Sequence, residues 1–347
     1  MTVVVTGAAG EVGRRVVASL VSGDEARDVR PVDTASLRSV GGVALRQLDV
    51  DRDDLTETFA GADTLVHLVS VVVPGSHTEA DERQELAALE RVLDAAETAG
   101  VQHVVVLSTA MVYGAWVGNP VPLTEAAPVR PNPDFRWATT RAEVERVARR
   151  WADASGVAVS VLRPTAVVAS DRLGQLARVV HRARIGLAAA GDPPVQYLHV
   201  DDLVSAIVTV VEKQFDGVAN VAPDGWIPPD DLAGLEGRQP RISVPAWAAR
   251  AAAAARNAAG VSPIPPGIVA YTAHSWVVSN DQLRALGWRA EYSNEEAWVV
   301  SHEPSPMERL PARQRQELAL AVAGVVGLGV LIAVISFIIR LKRGSQG

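Results

Sequence analysis

Three glycines at a spacing of three, Gly7, Gly10 and Gly13, follow the apolar run Val3-Val4-Val5 and precede the helically spaced Val16, Val17 and Leu20. This arrangement suits a phosphate. Gly7 lets the chain turn sharply out of a strand, Gly10 removes a side chain where a pyrophosphate would approach, and Gly13 lets the next helix pack close to the sheet. The N–H groups that open that helix, around Glu11 and Val12, then face the anion. A glycine loop alone is a weak motif; here the strand before it and the helix after it supply the context the chemistry needs. Asp33 follows about 20 residues past the loop, at the end of a second strand-like run. A carboxylate there accepts the ribose hydroxyls of NAD and repels a 2′-phosphate. NAD is therefore expected over NADP, a preference weakened by the nearby Arg14, Arg15 and Arg38.

Other groups have two readings. His199 with Asp201 and Asp202 has the composition of an acid/base pair, but its place ahead of an apolar helix equally suits a cap. Arg163 reads as a ligand for a substrate phosphate or as the partner of an internal carboxylate. The seven histidines show no HExxH spacing and there is no cysteine, so no metal site or disulfide framework is expected. A formal charge of −7 argues against nucleic acid as a partner.

The elements that must position these residues alternate. Short β-branched runs at 65–73, 101–107 and 157–162 interleave with helical periodicity at 79–99, 138–154 and 203–211, which predicts a parallel sheet wrapped by crossover helices. The expected fold class is α/β. A Rossmann-type doubly wound parallel sheet spans residues 1–190, and a smaller C-terminal substrate lobe spans 191–300 with some return to the sheet. The alanine-rich stretch 247–259 reads as a packing helix. Trp226, Trp247, Trp276, Trp288 and Trp298 read as core residues, or as the lining of an apolar pocket suited to a lipid-linked substrate.

Residues 318–339 carry no charge over 22 positions, roughly 33 Å as a helix, which matches a bilayer core. One transmembrane helix is expected there, after a juxtamembrane linker at 301–317 and before a short basic tail at 340–347. Arg309, Arg313 and Arg315 balance Arg340, Lys342 and Arg343, so flanking charge leaves the orientation open. The core strand at residues 3–5 leaves no room for an export signal, and the expectation is a single-pass C-terminal anchor with the large domain cytoplasmic. Ala319, Ala323 and Gly327 recur every four residues and suggest a helix-packing face for a homodimer.

Over residues 2–300 the chain resembles the extended short-chain dehydrogenase/reductases, the NAD-dependent epimerase/dehydratases acting on nucleotide sugars. The landmarks are Thr6-Gly7-Ala8-Ala9-Gly10-Glu11-Val12-Gly13, Asp33, Leu48-Asp49-Val50, the run from Ala62 to Leu68, and Leu107-Ser108-Thr109 running on to Tyr113-Gly114. Further on come Leu123-Thr124-Glu125, Leu162-Arg163-Pro164-Thr165 and Leu198-His199-Val200-Asp201-Asp202. The resemblance implies that Asp49 and Val50 contact adenine and that Leu68 and Pro164 line the cofactor. It also implies a Ser or Thr, a Tyr and a Lys four residues later as the catalytic set. Thr109 suits the first role. Trp137 stands at the Tyr position and Arg141 at the Lys position, and the chain's lysines, Lys213 and Lys342, lie far from this segment.

An indole N–H donates a hydrogen bond but cannot shuttle a proton near neutral pH. Arginine keeps the charge, able in principle to hold the nicotinamide ribose, without being a free geometric substitute for lysine. Three readings follow from the departure. The chain is a cofactor-binding sensor, scaffold or regulator that has lost the redox chemistry; an enzyme with another proton donor, such as Tyr113, Glu125 or Asp134; or a binding module whose nucleotide is structural.

Overall fold

The first strand, β1 (Thr2–Thr6), carries Val3, Val4 and Val5 with no solvent exposure at all, so it must be covered on both faces. A run buried on both sides cannot alternate apolar with polar, which is why it reads as continuous valine. In the computed structural model, which describes residues 1–23, 27–75, 78–170, 172–237, 241–259 and 264–302, β1 lies inside a seven-stranded sheet. Its other strands are β2 (Asp28–Asp33), β3 (Arg46–Gln47), β4 (Thr64–His67), β5 (His103–Leu107), β6 (Ala158–Pro164) and β10 (Gly217–Val221). The order is β3-β2-β1-β4-β5-β6-β10, and every pair is parallel. This is the doubly wound Rossmann arrangement, with its change of direction between β1 and β4.

Helices cover both faces. On one, α1 (Glu11–Ser22) and α5 (Val200–Lys213) bury Val16, Val17, Leu20, Leu203, Ile207 and Val210 against Val3, Val5 and Val105. On the other, α2 (Glu79–Thr98) and α3 (Arg136–Ser155) bury Leu89, Val92, Leu93, Val144 and Ala148 against Val4, Leu65, Val104 and Val106. A capping box at Thr78 and Asp81 starts α2, and Gly156 in the left-handed conformation ends α3.

A smaller sheet of β7 (Ala166–Ala169), β8 (Arg172–Leu173) and β9 (Tyr197–His199) packs with α4 (Gln175–Ala183) around a separate core that includes Met111, Phe135, Tyr271, Trp276 and Trp298. The alanine-rich helix α6 (Ala246–Ala258) packs through Ala249 and Ala253. Strand β10 returns to the edge of the main sheet beside β6. Met1–Ser301 forms one compact unit.

Two sequence expectations change here. The run 65–73 leaves the sheet after His67, and its second half, 68–73, becomes a loop over the strand ends. Of the five C-terminal tryptophans, Trp276, Trp288 and Trp298 are buried in the cores while Trp226 and Trp247 are exposed, and none lines the cavity beyond the ends of β4, β5 and β6. Among the described residues no helix is long and apolar enough to cross a membrane. The expected span at 318–339, with residues 303–317 of its linker and the tail 340–347, lies outside the described residues.

Candidate functional site

Beyond the ends of β4, β5 and β6 lies a cavity of about 330 Å³. It is the place where an open parallel sheet binds ligands, since the helices diverge there. Among the residues singled out in the sequence it brings together Val12, Leu68, Thr109, Trp137, Arg141 and Pro164. Gly7, Gly10, Glu11, Gly13, Asp33, Asp49 and Val50 do not border it and form a second group nearer β1 and β2.

The second group fits a dinucleotide on its own geometry. Gly7 has φ +74°, and a Cβ there would sit 2.8 Å from the Leu68 carbonyl carbon. A Cβ on Gly13 would fall inside the Gly7 carbonyl oxygen, so α1 approaches the loop as closely as only glycine permits. No side chain caps α1 at Gly10, which leaves its first-turn N–H groups for an anion. Asp33 is held at the end of β2 by hydrogen bonds from the backbone N–H of Ala9 (2.9 Å) and of Ala35 (3.0 Å). Its carboxylate is thereby tied to the glycine loop, where a ribose must lie if a pyrophosphate occupies that loop. Asp49 accepts from the Asp51 N–H at 3.0 Å, Val50 is buried beside it, and Glu11 pairs with Arg172 at 2.5 Å.

Around the cavity, Thr109 caps a short 3₁₀ turn (Ala110–Tyr113), its Oγ1 accepting from the Met111 N–H at 3.3 Å. Trp137 lies in the first turn of α3, half-buried and tilted against Phe135 with ring centroids 5.9 Å apart. Arg141, one turn on, is buried. Its Nη2 donates to Glu85 of α2 and to the Ser70 hydroxyl at 2.5 Å, and Nη1 reaches the Leu107 carbonyl at 3.5 Å. Glu85 also accepts from the N–H groups of Val71 (2.8 Å) and Val72 (3.0 Å) and from the Ser70 hydroxyl. The carboxylate therefore ties the loop after β4 to the guanidinium and engages both terminal nitrogens of Arg141 in protein contacts together with Leu107.

Glu85 was not legible as a site residue, yet the signal was there. It is an acidic residue in register with the apolar stripe Ala88, Leu89, Val92 and Ala96 of α2, and a carboxylate on a buried face needs a partner. His67 is a second such residue. It ends β4, pairs in register with Thr6 and bonds the Thr6 hydroxyl through Nδ1 at 2.8 Å. Burial first, and then the Arg141 charge, lower its pKa to about 4, so the imidazole is neutral at physiological pH. A depressed histidine contributes stability that is complete above its unfolded value near 6.5 and is lost as pH falls toward 4. Between those limits the wild type is expected to lose on the order of 3 kcal/mol more than His67→Gln. Urea denaturation at steps from pH 7 to 4 checks this, and parallel curves for the two proteins would refute it.

The alternative proton donors are elsewhere. Tyr113 is enclosed, donating to Asn220 Oδ1 at 2.8 Å and accepting from Arg163 Nη1 at 2.7 Å, with burial raising its pKa. Glu125 accepts from the Asn220 N–H at 2.8 Å, and Asp134 pairs with Arg250 on the surface. None of the three borders the cavity. Arg163 pairs with the internal carboxylate Glu145 rather than facing solvent. His199 caps α5 through the Asp201 N–H, and Asp202 accepts from the N–H groups of Glu291 (2.7 Å) and Tyr292 (3.2 Å).

Residues 3–222 match the NAD dependent epimerase/dehydratase family. The chain belongs to this family. Among curated relatives it is 22% identical over 264 residues to Uncharacterized protein y4nG of Sinorhizobium fredii, covering 73% of this chain and 65% of that protein, just under two thirds of its length. It is 30% identical over 181 residues to the L-arabinose 1-dehydrogenase (NAD(P)(+)) of Haloferax volcanii, covering 49% of this chain and 69% of the enzyme. Among solved structures, the UDP-glucose 4-epimerase of Thermus thermophilus complexed with NAD superposes with a TM-score of 0.65 at 20% identity, over 87% of this chain and 97% of that one. In this member of the epimerase/dehydratase family, Trp137 and Arg141 occupy one wall of the cavity and Thr109 the strand-end floor.

Proposed function

We propose that this chain binds NAD through its glycine loop and Asp33 but does not run a tyrosine–lysine proton relay, and that residues 318–339 tether it to a membrane with the large domain cytoplasmic. When bound, NAD supplies a hydride acceptor or donor at its nicotinamide ring. The observation that carries the reading is Arg141 engaged by Glu85 on the cavity wall next to Trp137. An indole N–H is far too weak an acid to pass a proton to a substrate near neutral pH, and a guanidinium paired with a carboxylate lowers the pKa of a neighbour less than a free ammonium does. The role that fits is a membrane-tethered sensor or scaffold whose state follows cofactor occupancy. A catalytic role through Tyr113, Glu125 or Asp134 has less support, since none of them borders the cavity. If chemistry does occur, Thr109, which borders the cavity, would orient a substrate oxygen.

The test is calorimetric titration of the full chain in detergent with NAD, NADH and NADPH, followed by turnover assays with UDP-glucose and, with NADH, the uncharged ketone 2-decalone. Micromolar-order affinity for NAD or NADH, on the order of 8 kcal/mol of binding free energy, with no turnover is the expected result. Absence of binding would remove the cofactor from the account, and turnover by the wild type would remove the lost relay. Trp137→Tyr combined with Arg141→Lys is expected to remain inactive, because Glu85 still holds whatever cation stands at 141. Turnover by that double variant would mean that Glu85 does not constrain the site. For the anchor, the full chain is expected in the carbonate-resistant membrane fraction and a chain ending at residue 316 in the soluble one.

A further inference from the structure

We propose that the substrate end of the cavity takes an uncharged, mostly apolar molecule presenting one hydroxyl or carbonyl oxygen, and not a nucleotide sugar. This rests on the reading that NAD occupies the glycine loop, since a nicotinamide bound beyond that loop would take part of the cavity and leave its apolar wall for the second ligand. That wall is built by Val72, Leu89, Trp137, Val144, Val167 and Leu176, drawn from the loop after β4, from α2, α3, β7 and α4. Side chains from both the Rossmann half and the smaller lobe therefore present hydrocarbon to the same space. Val73 of the lining is 36% exposed, an apolar side chain on a loop where a solvated one would be the ordinary choice.

Charge points the same way. Among the described lining residues the one guanidinium, Arg141, and the one carboxylate, Glu85, are paired with each other, each 6% exposed. The pair is built into the fold, since Glu85 also takes both backbone N–H groups of Val71 and Val72. His67, with its depressed pKa, adds no charge. The one lining cation is already paired, with only its Nε left without a partner, so a diphosphate meets no free cation here, and an unpaired anion against apolar walls carries a desolvation penalty. Size agrees: about 330 Å³ lies at the low end of ligand sites, and sharing it with a nicotinamide leaves room for a small ring system. The polar groups that border this space include Thr165, buried with a hydroxyl that has no hydrogen-bond partner, the exposed Gln175, and Thr109, whose hydroxyl accepts from the Met111 N–H and donates to the Pro164 carbonyl.

The experiment is fluorescence titration of the full chain, with and without NAD, using 2-decalone as the uncharged bicyclic ketone, 2-naphthoate as an anionic ring compound and UDP-glucose. The wild type is expected to bind 2-decalone and to bind 2-naphthoate and UDP-glucose at least about tenfold more weakly. Glu85→Gln frees the Arg141 charge, and the ratio of its affinity for 2-naphthoate to that for 2-decalone is expected to rise at least about tenfold over the wild-type ratio. Should Glu85→Gln fold poorly, Glu85→Gln with Arg141→Gln keeps the site neutral and is expected to retain 2-decalone binding without gaining naphthoate binding. UDP-glucose binding that displaces 2-decalone, or an unchanged affinity ratio in Glu85→Gln, would overturn the proposal. Failure of NAD to bind would count against the cofactor reading alone, because the titrations without NAD still report on the wall.

Discussion

Glu145→Ala is expected to remove about 3–5 kcal/mol of folding stability, a large share of what a domain of this kind possesses. The reason is the group left behind. Arg163 is 1% exposed and donates to both oxygens of Glu145, at 2.9 Å from Nε and 2.6 Å from Nη2, while Ser108 donates to the same carboxylate at 2.5 Å. Burial pulls the guanidinium pKa down, but the hydrogen bonds and charge of Glu145 outweigh it and hold the group above its ordinary value. Without Glu145 a positive charge stays buried over the Tyr113 ring, 4.7 Å from its centroid, with only the phenol oxygen as a polar partner. Glu143→Ala, which breaks the more exposed pair with Arg146 two residues earlier, is expected to change stability by less than about 0.5 kcal/mol. Guanidinium denaturation of the two variants side by side decides the matter. Equal midpoints would show that the buried pair contributes no more than the exposed one.

The second large effect belongs to the glycine loop, where two neighbouring substitutions should fail in different ways. At Gly13 any Cβ collides with backbone, the Gly7 oxygen and the Ala8 Cα, neither of which can rotate away. Gly13→Val should therefore displace α1 and cost about 3 kcal/mol or more, at the upper end of overpacking penalties. At Gly10 the nearest obstacle is the Gly7 oxygen at 3.2 Å, so the folded chain can accept a side chain with a small shift. The volume gained there is the volume a pyrophosphate requires. Gly10→Val is expected to keep its melting temperature within a few degrees while losing NAD affinity at least about 100-fold. Calorimetry on a variant shown to be folded separates the two. Undiminished NAD affinity in Gly10→Val would take the loop out of the cofactor account.

Much of the architecture was legible because it rests on local rules. Valines in an unbroken run need cover on both faces, and the spacing of Val16, Val17 and Leu20 allows one helix face to provide it. The loop between them reads directly, since glycine is the residue type that survives φ +74° at Gly7 and backbone contact at Gly13. The apolar run 65–73 misled because hydrophobicity marks burial and not pairing. Its first part pairs with β1 and β5, whereas Val69 and Val72 are apolar because they line a cavity.

The sequence by itself determined the parallel sheet, the phosphate loop and the presence of Trp137 and Arg141 where the family resemblance implies Tyr and Lys. It could not determine what those residues would touch. Arg141 and Glu145 stand four apart on one helix, the spacing of a local ion pair, and nothing in the spacing opposes that reading. The tertiary structure separates them: Arg141 turns to Glu85 of α2, and Glu145 turns to Arg163 of β6. Both residues lie on the buried side of α3, where each charge must find its partner on whichever element packs against it, and that choice is made by the assembly of sheet and helices.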